Sequence, residues 1–239
     1  MMNKLTSQTF GYAGKIGLMA FIPFLILKIV TVVYGSGNEH PGFMFIIGFM
    51  EIAAVIIMMI PSVWLTYSLY KELFTDLSYK NWALPYKKSQ IIRSKALPVI
   101  IVVSILVSLI LMTDYVEGYL AEAIYGSHSQ NDHLLSDMKA GLLSLSIPAY
   151  FLTLFLFSNI MGSSINAGKR RTASLFVLLL GTTLFVAGSS VFSAINWNYA
   201  TTFTQTDILI VIASSLLIAA IVIMSIIMKN LADKKLDVA

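Results

Sequence analysis

Two charged residues lie inside long apolar stretches of the sequence, Lys28 in the first stretch and Glu51 in the second. Lys28 is about six residues, or 9 Å, from the end of its stretch, and Glu51 is about eight residues, or 12 Å, from the adjoining end of the next. Adjacent antiparallel helices would hold the two charges at similar depth. A charge at the centre of a bilayer costs about 2.5–3.5 kcal/mol on insertion scales, and pairing or a wet cavity lowers that cost. Three interpretations stay open: a substrate-path or gating pair, a structural ion pair that locks the first hairpin, or Lys28 extending alone to the headgroups.

Metal chemistry is not indicated by the remaining titratable residues. His128 and His133 have Asp132 and Asp137 nearby, but a spacing of five does not place two imidazoles on one helical face. Carboxylates are expected in any hydrated loop, so we interpret this pattern as a solvated loop and predict no metal site.

Catalytic motifs are also missing from the sequence. The nearest match to a nucleotide-binding P-loop, Gly162–Arg170, fails on glycine spacing and has Arg170 where the magnesium-binding hydroxyl belongs. There is no HExxH motif, no nucleophile elbow and no cysteine. We therefore expect no enzymatic activity and no cofactor on this chain.

The composition of the chain predicts that Lys28 and Glu51 lie on membrane-spanning helices. Of 239 residues, 57% are hydrophobic and only 12% charged, and the mean hydropathy is +0.82. A soluble domain has about twice that share of charge, so this chain cannot cover a water-facing surface. A helix of about 20 apolar residues spans the hydrocarbon core. We predict an all-α integral membrane protein, a single domain over residues 1–239, with these six spans: Ile16–Tyr34, Phe43–Thr66, Ile91–Met112, Ala140–Met161, Ala173–Ser193 and Ile208–Met228.

The orientation is predicted from the positions of Lys and Arg. Fourteen of the sixteen basic residues fall before the first span, after the last span, in the loops after the second and fourth spans, or, for Arg93 and Lys95, near the start of the third span. Basic residues favour the cytoplasmic side. Both termini are therefore predicted to be cytoplasmic, and the net charge of +4 does not indicate nucleic-acid binding. The predicted external loops are Gly35–Gly42, Thr113–Lys139 and Ala194–Asp207; the second carries five carboxylates and a candidate surface helix, Val116–Tyr125.

The loop after the second span has the most specific sequence. Pro85 suits the first turn of a helix, and basic residues close the segment before the third span. We predict a short surface helix over Leu84–Gln90, followed by a turn into the third span. A basic loop resting on anionic lipid is the other interpretation. The residues of this helix are Leu84, Pro85, Tyr86, Lys87, Lys88, Ser89 and Gln90.

This segment resembles the region after the second span in permease subunits of the ABC type-2 superfamily. The family pattern, an aromatic residue, Asp and Tyr followed by Leu-Pro, basic residues and Gln-Ile, is carried by Phe74, Asp76, Tyr79, Leu84, Pro85, Lys87, Lys88, Gln90, Ile91, Ser94 and Lys95. The acidic-Gly step after the aspartate is replaced by Leu77-Ser78, and residues 80–83 depart from the usual Thr-rich run. The motif covers about a tenth of the chain.

The resemblance implies a transmembrane half-transporter without its own ATPase. Leu84–Gln90 would be the coupling helix that contacts a separate ABC ATPase subunit, which would bind ATP and Mg. A second permease chain, identical or related, would complete the pathway in the lipid bilayer. By the same resemblance, the substrate is expected to be an amphipathic or antimicrobial-type peptide and the location a bacterial plasma membrane. Export of lipids or small drugs, and a membrane anchor or sensor that transports nothing, stay as alternatives.

Overall fold

The structure is a computed structural model, and it describes residues 2–35, 41–74, 87–113, 117, 120, 123, 134–164, 170–199 and 203–235. This part of the chain is all-helical and contains six long helices. They are α1 (Met2–Gly35), α2 (Pro41–Phe74), α3 (Lys88–Leu111), α4 (Leu134–Ser163), α5 (Arg170–Tyr199) and α6 (Phe203–Lys235). Each is long and apolar enough to cross a membrane, so the chain is a multi-pass membrane protein.

Backbone hydrogen bonding explains why the apolar stretches are helical. Lipid offers no partner for an N–H or C=O group, and a helix satisfies both within one segment. Hydroxyl groups inside the spans follow the same rule, because they donate to carbonyl groups of the preceding turn. Examples are Ser62 to Met58, Thr153 to Ala149 and Ser214 to Ile210, at 2.7–2.9 Å.

Helix α3 is the centre of the bundle. It packs against α1, α2, α4 and, less extensively, α6, while α4 also packs against α5 and α6. Half of the apolar stretch of α3 is buried, compared with 6% of that of α5. The main core joins side chains of α1, α2, α3, α4 and α6, among them Phe24, Met58, Val103, Leu156 and Met228. A hydroxyl contact of 2.7 Å between Ser108 and Ser144 links α3 to α4 inside this core.

Helices α1 and α2 are longer than a bilayer requires. Each has 34 residues, or about 51 Å, against a hydrocarbon core of about 30 Å. Trp64 donates a hydrogen bond of 3.4 Å to the hydroxyl of Tyr12, and both side chains are exposed. Such aromatic residues are typical of the membrane–water interface. The stretches from Tyr12 to Gly35 and from Pro41 to Trp64 are each about 35 Å long, and about ten residues of each helix lie beyond this aromatic pair.

A close contact between α4 and α5 depends on a glycine. A Cβ atom added at Gly181 would lie 2.5 Å from Cδ1 of Leu154, whereas one added at Gly188 would meet nothing within 4 Å. The hydroxyl of Tyr150 donates to the carbonyl of Gly181 at 3.2 Å. Tyr150 also stacks on Phe185, so this small cluster fixes the mostly exposed α5 to the rest of the bundle.

Each of the six predicted spans overlaps one of these helices, and several helices run on beyond the predicted end of the span. Residues 2–15, which were placed before the first span, continue α1 without a break. Helix α5 runs on to Tyr199 and α6 begins at Phe203, so most of the predicted third external loop is helical. These extensions are possible because a helix forms its own backbone hydrogen bonds outside the lipid as well as inside it.

Candidate functional site

Lys28 forms the centre of a charge cluster at the end of the bundle where α1 ends and α2 begins. Its side chain is completely buried, and its Nζ donates to carboxylate oxygens of Glu51 and Glu117. The contact with Glu117 is 2.5 Å. Both glutamate side chains are about one third exposed, at 31% and 32%. The structure therefore brings together the two charges singled out in the sequence and adds a third.

Three separate segments supply this cluster. Lys28 lies seven residues before the end of α1, Glu51 lies ten residues after the start of α2, and Glu117 lies six residues after the end of α3. Of the interpretations left open above, Lys28 extending alone is wrong, because its ammonium group is directed at two carboxylates. Residues 117, 120 and 123, the described part of the candidate surface helix, are helical.

Glu117 was missed as a partner of Lys28. In the sequence it is one of five carboxylates in a long loop, and nothing in its neighbours distinguishes it. A weak signal was available: an ammonium group has three N–H donors, so one carboxylate leaves a buried lysine with unused donors. That signal predicts a further acceptor without saying which one.

The start of α3 is the second place where predicted site residues lie. Lys87 is extended, with φ −61° and ψ 136°, and its carbonyl accepts the first helical hydrogen bonds from Gln90 and Ile91. Lys88, Ser89 and Gln90 form the first turn of α3, so the predicted turn after Gln90 is wrong and the helix is continuous there. Leu84, Pro85 and Tyr86 lie outside the described residues.

Contacts from α6 and α2 hold this end of α3. Lys87 provides no side-chain cap. Asp233 on α6 takes its place: its carboxylate accepts a hydrogen bond of 3.2 Å from the Ser89 backbone N–H and one of 2.9 Å from the Ser89 hydroxyl. A carboxylate at a helix N-terminus also interacts favourably with the helix dipole. Six residues after Ser89, Lys95 forms an ion pair with Glu72 near the end of α2.

Packing beneath these polar contacts is tight. Leu73, Ile92, Ile160 and Ala232, from four different helices, are buried side chains of the main core. A displacement of the first turn of α3 would therefore act on α2, α4 and α6 at once. We call this junction, formed by Ser89, Lys95, Glu72 and Asp233, the α3 anchor.

No group of three or more metal-binding side chains occurs among the described residues. His128, Asp132 and His133 lie outside those residues, and so does the side chain of Asp137. Comparison with protein-family models, curated proteins and solved structures finds no match to this chain. The charge cluster and the α3 anchor are thus the two arrangements on which a function can be argued.

Proposed function

We propose that this chain is the transmembrane permease subunit of an ATP-driven ABC exporter, energised by separate ATPase subunits. The α3 anchor is the observation that carries the proposal. The segment that resembles a coupling helix leads directly into α3, and the start of α3 is bonded to α6 through Asp233 and to α2 through Lys95 and Glu72. A force that a partner exerts on that segment would be transmitted to the ends of α2, α3 and α6.

The partners follow from the same proposal. ATP and Mg would bind to the ATPase subunits, and the ends of the helices that carry the α3 anchor would face them in the cytoplasm. Exposed basic residues at this end, such as Lys4, Lys87 and Lys229, agree with that orientation. A second permease chain, identical or related, would complete the pathway in the plasma membrane of a bacterium.

A pull-down tests the ATPase partnership. The tagged chain is purified in mild detergent, and co-purifying proteins are identified by mass spectrometry and assayed for ATP hydrolysis. A variant carrying Pro85→Ala, Lys87→Glu and Lys88→Glu changes the coupling segment. A Lys4→Glu, Lys229→Glu variant is the matched control, since it reverses two exposed basic residues elsewhere. We expect the wild type and the control to retain an ABC ATPase and the coupling-segment variant to lose it.

Two other outcomes have definite meanings. Retention of the ATPase by all three proteins would keep the exporter and move its docking surface away from residues 84–90. Absence of an ATPase from all three, in a detergent that preserves known complexes of this type, would contradict the proposal. The chain would then be better described as a membrane anchor or sensor.

We propose amphipathic or antimicrobial-type peptides as the substrate, with the acidic external loop favouring release of cationic ones. The contact between Glu117 and Lys28 changes how this is tested. Glu117 is engaged in the charge cluster, so the loop should be neutralised at Asp114 and Glu122 alone. Cells that express the chain with its ATPase should survive higher concentrations of a cationic amphipathic peptide, and the Asp114→Asn, Glu122→Gln variant should lose part of that protection. Unchanged protection would remove the role of the loop, and protection against neutral drugs or lipids alone would change the substrate class.

A further inference from the structure

The charge cluster contains two carboxylates but only one ammonium group. Lys28 contacts both Glu51 and Glu117 through the same nitrogen atom, so the two carboxylates lie within about 5 Å of each other. Like charges at that separation disfavour ionisation of one of the pair. Either glutamate alone neutralises Lys28. With both ionised, the cluster carries a net charge of −1 in a site that is only about one third exposed.

One added proton removes this imbalance. It makes the cluster neutral and turns one carboxylate into a hydrogen-bond donor, which the other can accept. Among the described residues of α2, α3 and the half of α1 that carries Lys28, only one other titratable side chain lies near this end of the bundle, the exposed Tyr34. Few other groups therefore compete for the proton.

The two glutamates are not equivalent as proton acceptors. Glu51 lies inside the membrane-spanning part of α2, where an ionised carboxylate needs its counter-ion beside it. Glu117 lies beyond the spanning part of α3, where water can replace Lys28 as its partner. Loss of Glu117 from the cluster leaves a neutral Lys28–Glu51 pair, whereas loss of Glu51 would leave a charge unpaired in the span.

We propose that Lys28, Glu51 and Glu117 form a site for a single proton, with Glu117 as the acceptor, and that the bound proton holds Glu117 against α1 and α2. Burial is the largest influence on Glu117 and raises its pKa above the ordinary value of 4.5; Glu51 acts in the same direction and Lys28 in the opposite one. A pKa that is higher in the docked than in the released state means that the proton favours docking. Docking is therefore strongest below pH 4.5 and weakens as the pH rises through the raised pKa.

This site stands independently of the transport function. In an exporter, it would close the outer end of α1 and α2 when that side of the membrane is acidic. This closing role alone rests on the proposed function. The test below uses the chain alone, so its failure would leave the ATPase partnership untouched.

Cysteine labelling measures the docking of Glu117 directly, because the natural chain contains no cysteine. Leu120, one helical turn after Glu117, is half-buried, and Ala123 is exposed. Leu120→Cys and Ala123→Cys proteins in lipid nanodiscs are labelled with a maleimide between pH 4 and pH 8. The ratio of the Leu120→Cys rate to the Ala123→Cys rate cancels the pH dependence of the thiol itself.

We expect this ratio to fall severalfold on going from pH 8 to pH 4. Adding Glu117→Gln, which imitates the protonated side chain, should keep the ratio low at every pH. Adding Glu72→Gln, which neutralises an ion-paired glutamate at the other end of the bundle, should leave the pH dependence as it was. A ratio that stays constant or rises on acidification would overturn the proposal, and so would a Glu117→Gln protein that retains the pH dependence.

Infrared spectroscopy provides a second measurement that needs no cysteine. A protonated carboxylic acid has its own carbonyl stretch, distinct from the bands of a carboxylate. The difference between wild type and Glu117→Gln should contain that band and should lose it as the pH rises, at a midpoint above 4.5. A midpoint at or below that value would overturn the assignment of the proton to Glu117.

Discussion

The burial of Lys28 makes the charge cluster a set of mutually dependent residues. An ammonium group with no exposed surface is tolerated only because Glu51 and Glu117 surround it. Breaking a buried ion pair by removing one partner costs far more than replacing the whole set with apolar or neutral groups. The two kinds of substitution therefore distinguish the contribution of charge from that of packing.

Lys28→Met should lower the free energy of unfolding by about 2–3 kcal/mol, somewhat less than a fully buried pair would lose, because the two stranded glutamates are partly exposed. Glu117→Gln should cost much less, since Glu51 still pairs with Lys28. The triple variant Lys28→Met, Glu51→Gln, Glu117→Gln should recover most of the loss. Denaturant unfolding in detergent measures all three, and a triple variant no more stable than Lys28→Met would show that packing, not charge, sets the cost.

The neighbours of each residue in the sequence decided whether its membership of the charge cluster could be predicted. Lys28 and Glu51 stood out because a charge in an apolar stretch is costly, and their similar depth favoured a pair. Glu117 sits among other carboxylates in a loop, where a charge costs nothing. Only the path of the chain after α3 decides which of those carboxylates reaches Lys28, and local sequence does not encode that path.

At the scale of helices, the contact between α4 and α5 depends on close approach at Gly181. Gly181→Ala would push against Leu154, which is 3% exposed and has little room to move. We expect a loss of about 1–2 kcal/mol in the free energy of unfolding. Gly188→Ala, on the same helix but facing open space, should be neutral or slightly stabilising, because alanine is the better helix former.

Thermal unfolding of the two glycine variants decides this point. Equal stabilities would mean that α4 and α5 do not approach as closely as the structure has them. Leu154→Ala combined with Gly181→Ala provides a further check: the two effects should not add, because the smaller side chain removes the clash that the alanine creates.

The α3 anchor leads to a prediction about the start of α3. Asp233→Ala removes the acceptor of the Ser89 N–H and hydroxyl, and Lys87 supplies no cap in its place. Loss of a helix cap costs about 1 kcal/mol, so the first turn of α3 should open more readily. Hydrogen exchange should therefore speed up severalfold at residues 88–92 and stay unchanged near Ser108. Lys229→Ala, on the same helix, is the control, and unchanged exchange in Asp233→Ala would show that Asp233 does not hold this turn.

The anchor also explains why the predicted turn after Gln90 was wrong. The residues near Pro85 favour the start of a short helix, and nothing nearby indicates that the helix continues into the span. The first turn of α3 is stabilised by Asp233, which lies 144 positions after Ser89 in the chain. The existence of the six spans, in contrast, was predictable, because hydrophobic length alone decides it.

At the scale of the whole molecule, the two polar arrangements lie at opposite ends of the bundle. The charge cluster joins α1, α2 and the residues after α3, and the α3 anchor joins α2, α3 and α6. Helix α3 runs between them at the centre of the bundle. In the proposed exporter, a movement that begins at one end of α3 would be transmitted to the polar junction at its other end.

The orientation of the bundle decides which junction would face the proposed ATPase, and it can be measured in intact cells. Ser7, Ala123 and Asn230 are exposed, and single cysteines at these positions report without background because the chain has none of its own. The distribution of Lys and Arg predicts that Ser7 and Asn230 lie inside and Ala123 outside. A membrane-impermeant maleimide should therefore label Ala123→Cys in intact cells, and Ser7→Cys and Asn230→Cys only after permeabilisation. The reverse pattern would put the α3 anchor outside, where no ATP is available, and would contradict both the exporter and the acid-side role of Glu117. Labelling of Ser7→Cys and Asn230→Cys from different sides would contradict the even number of spans itself.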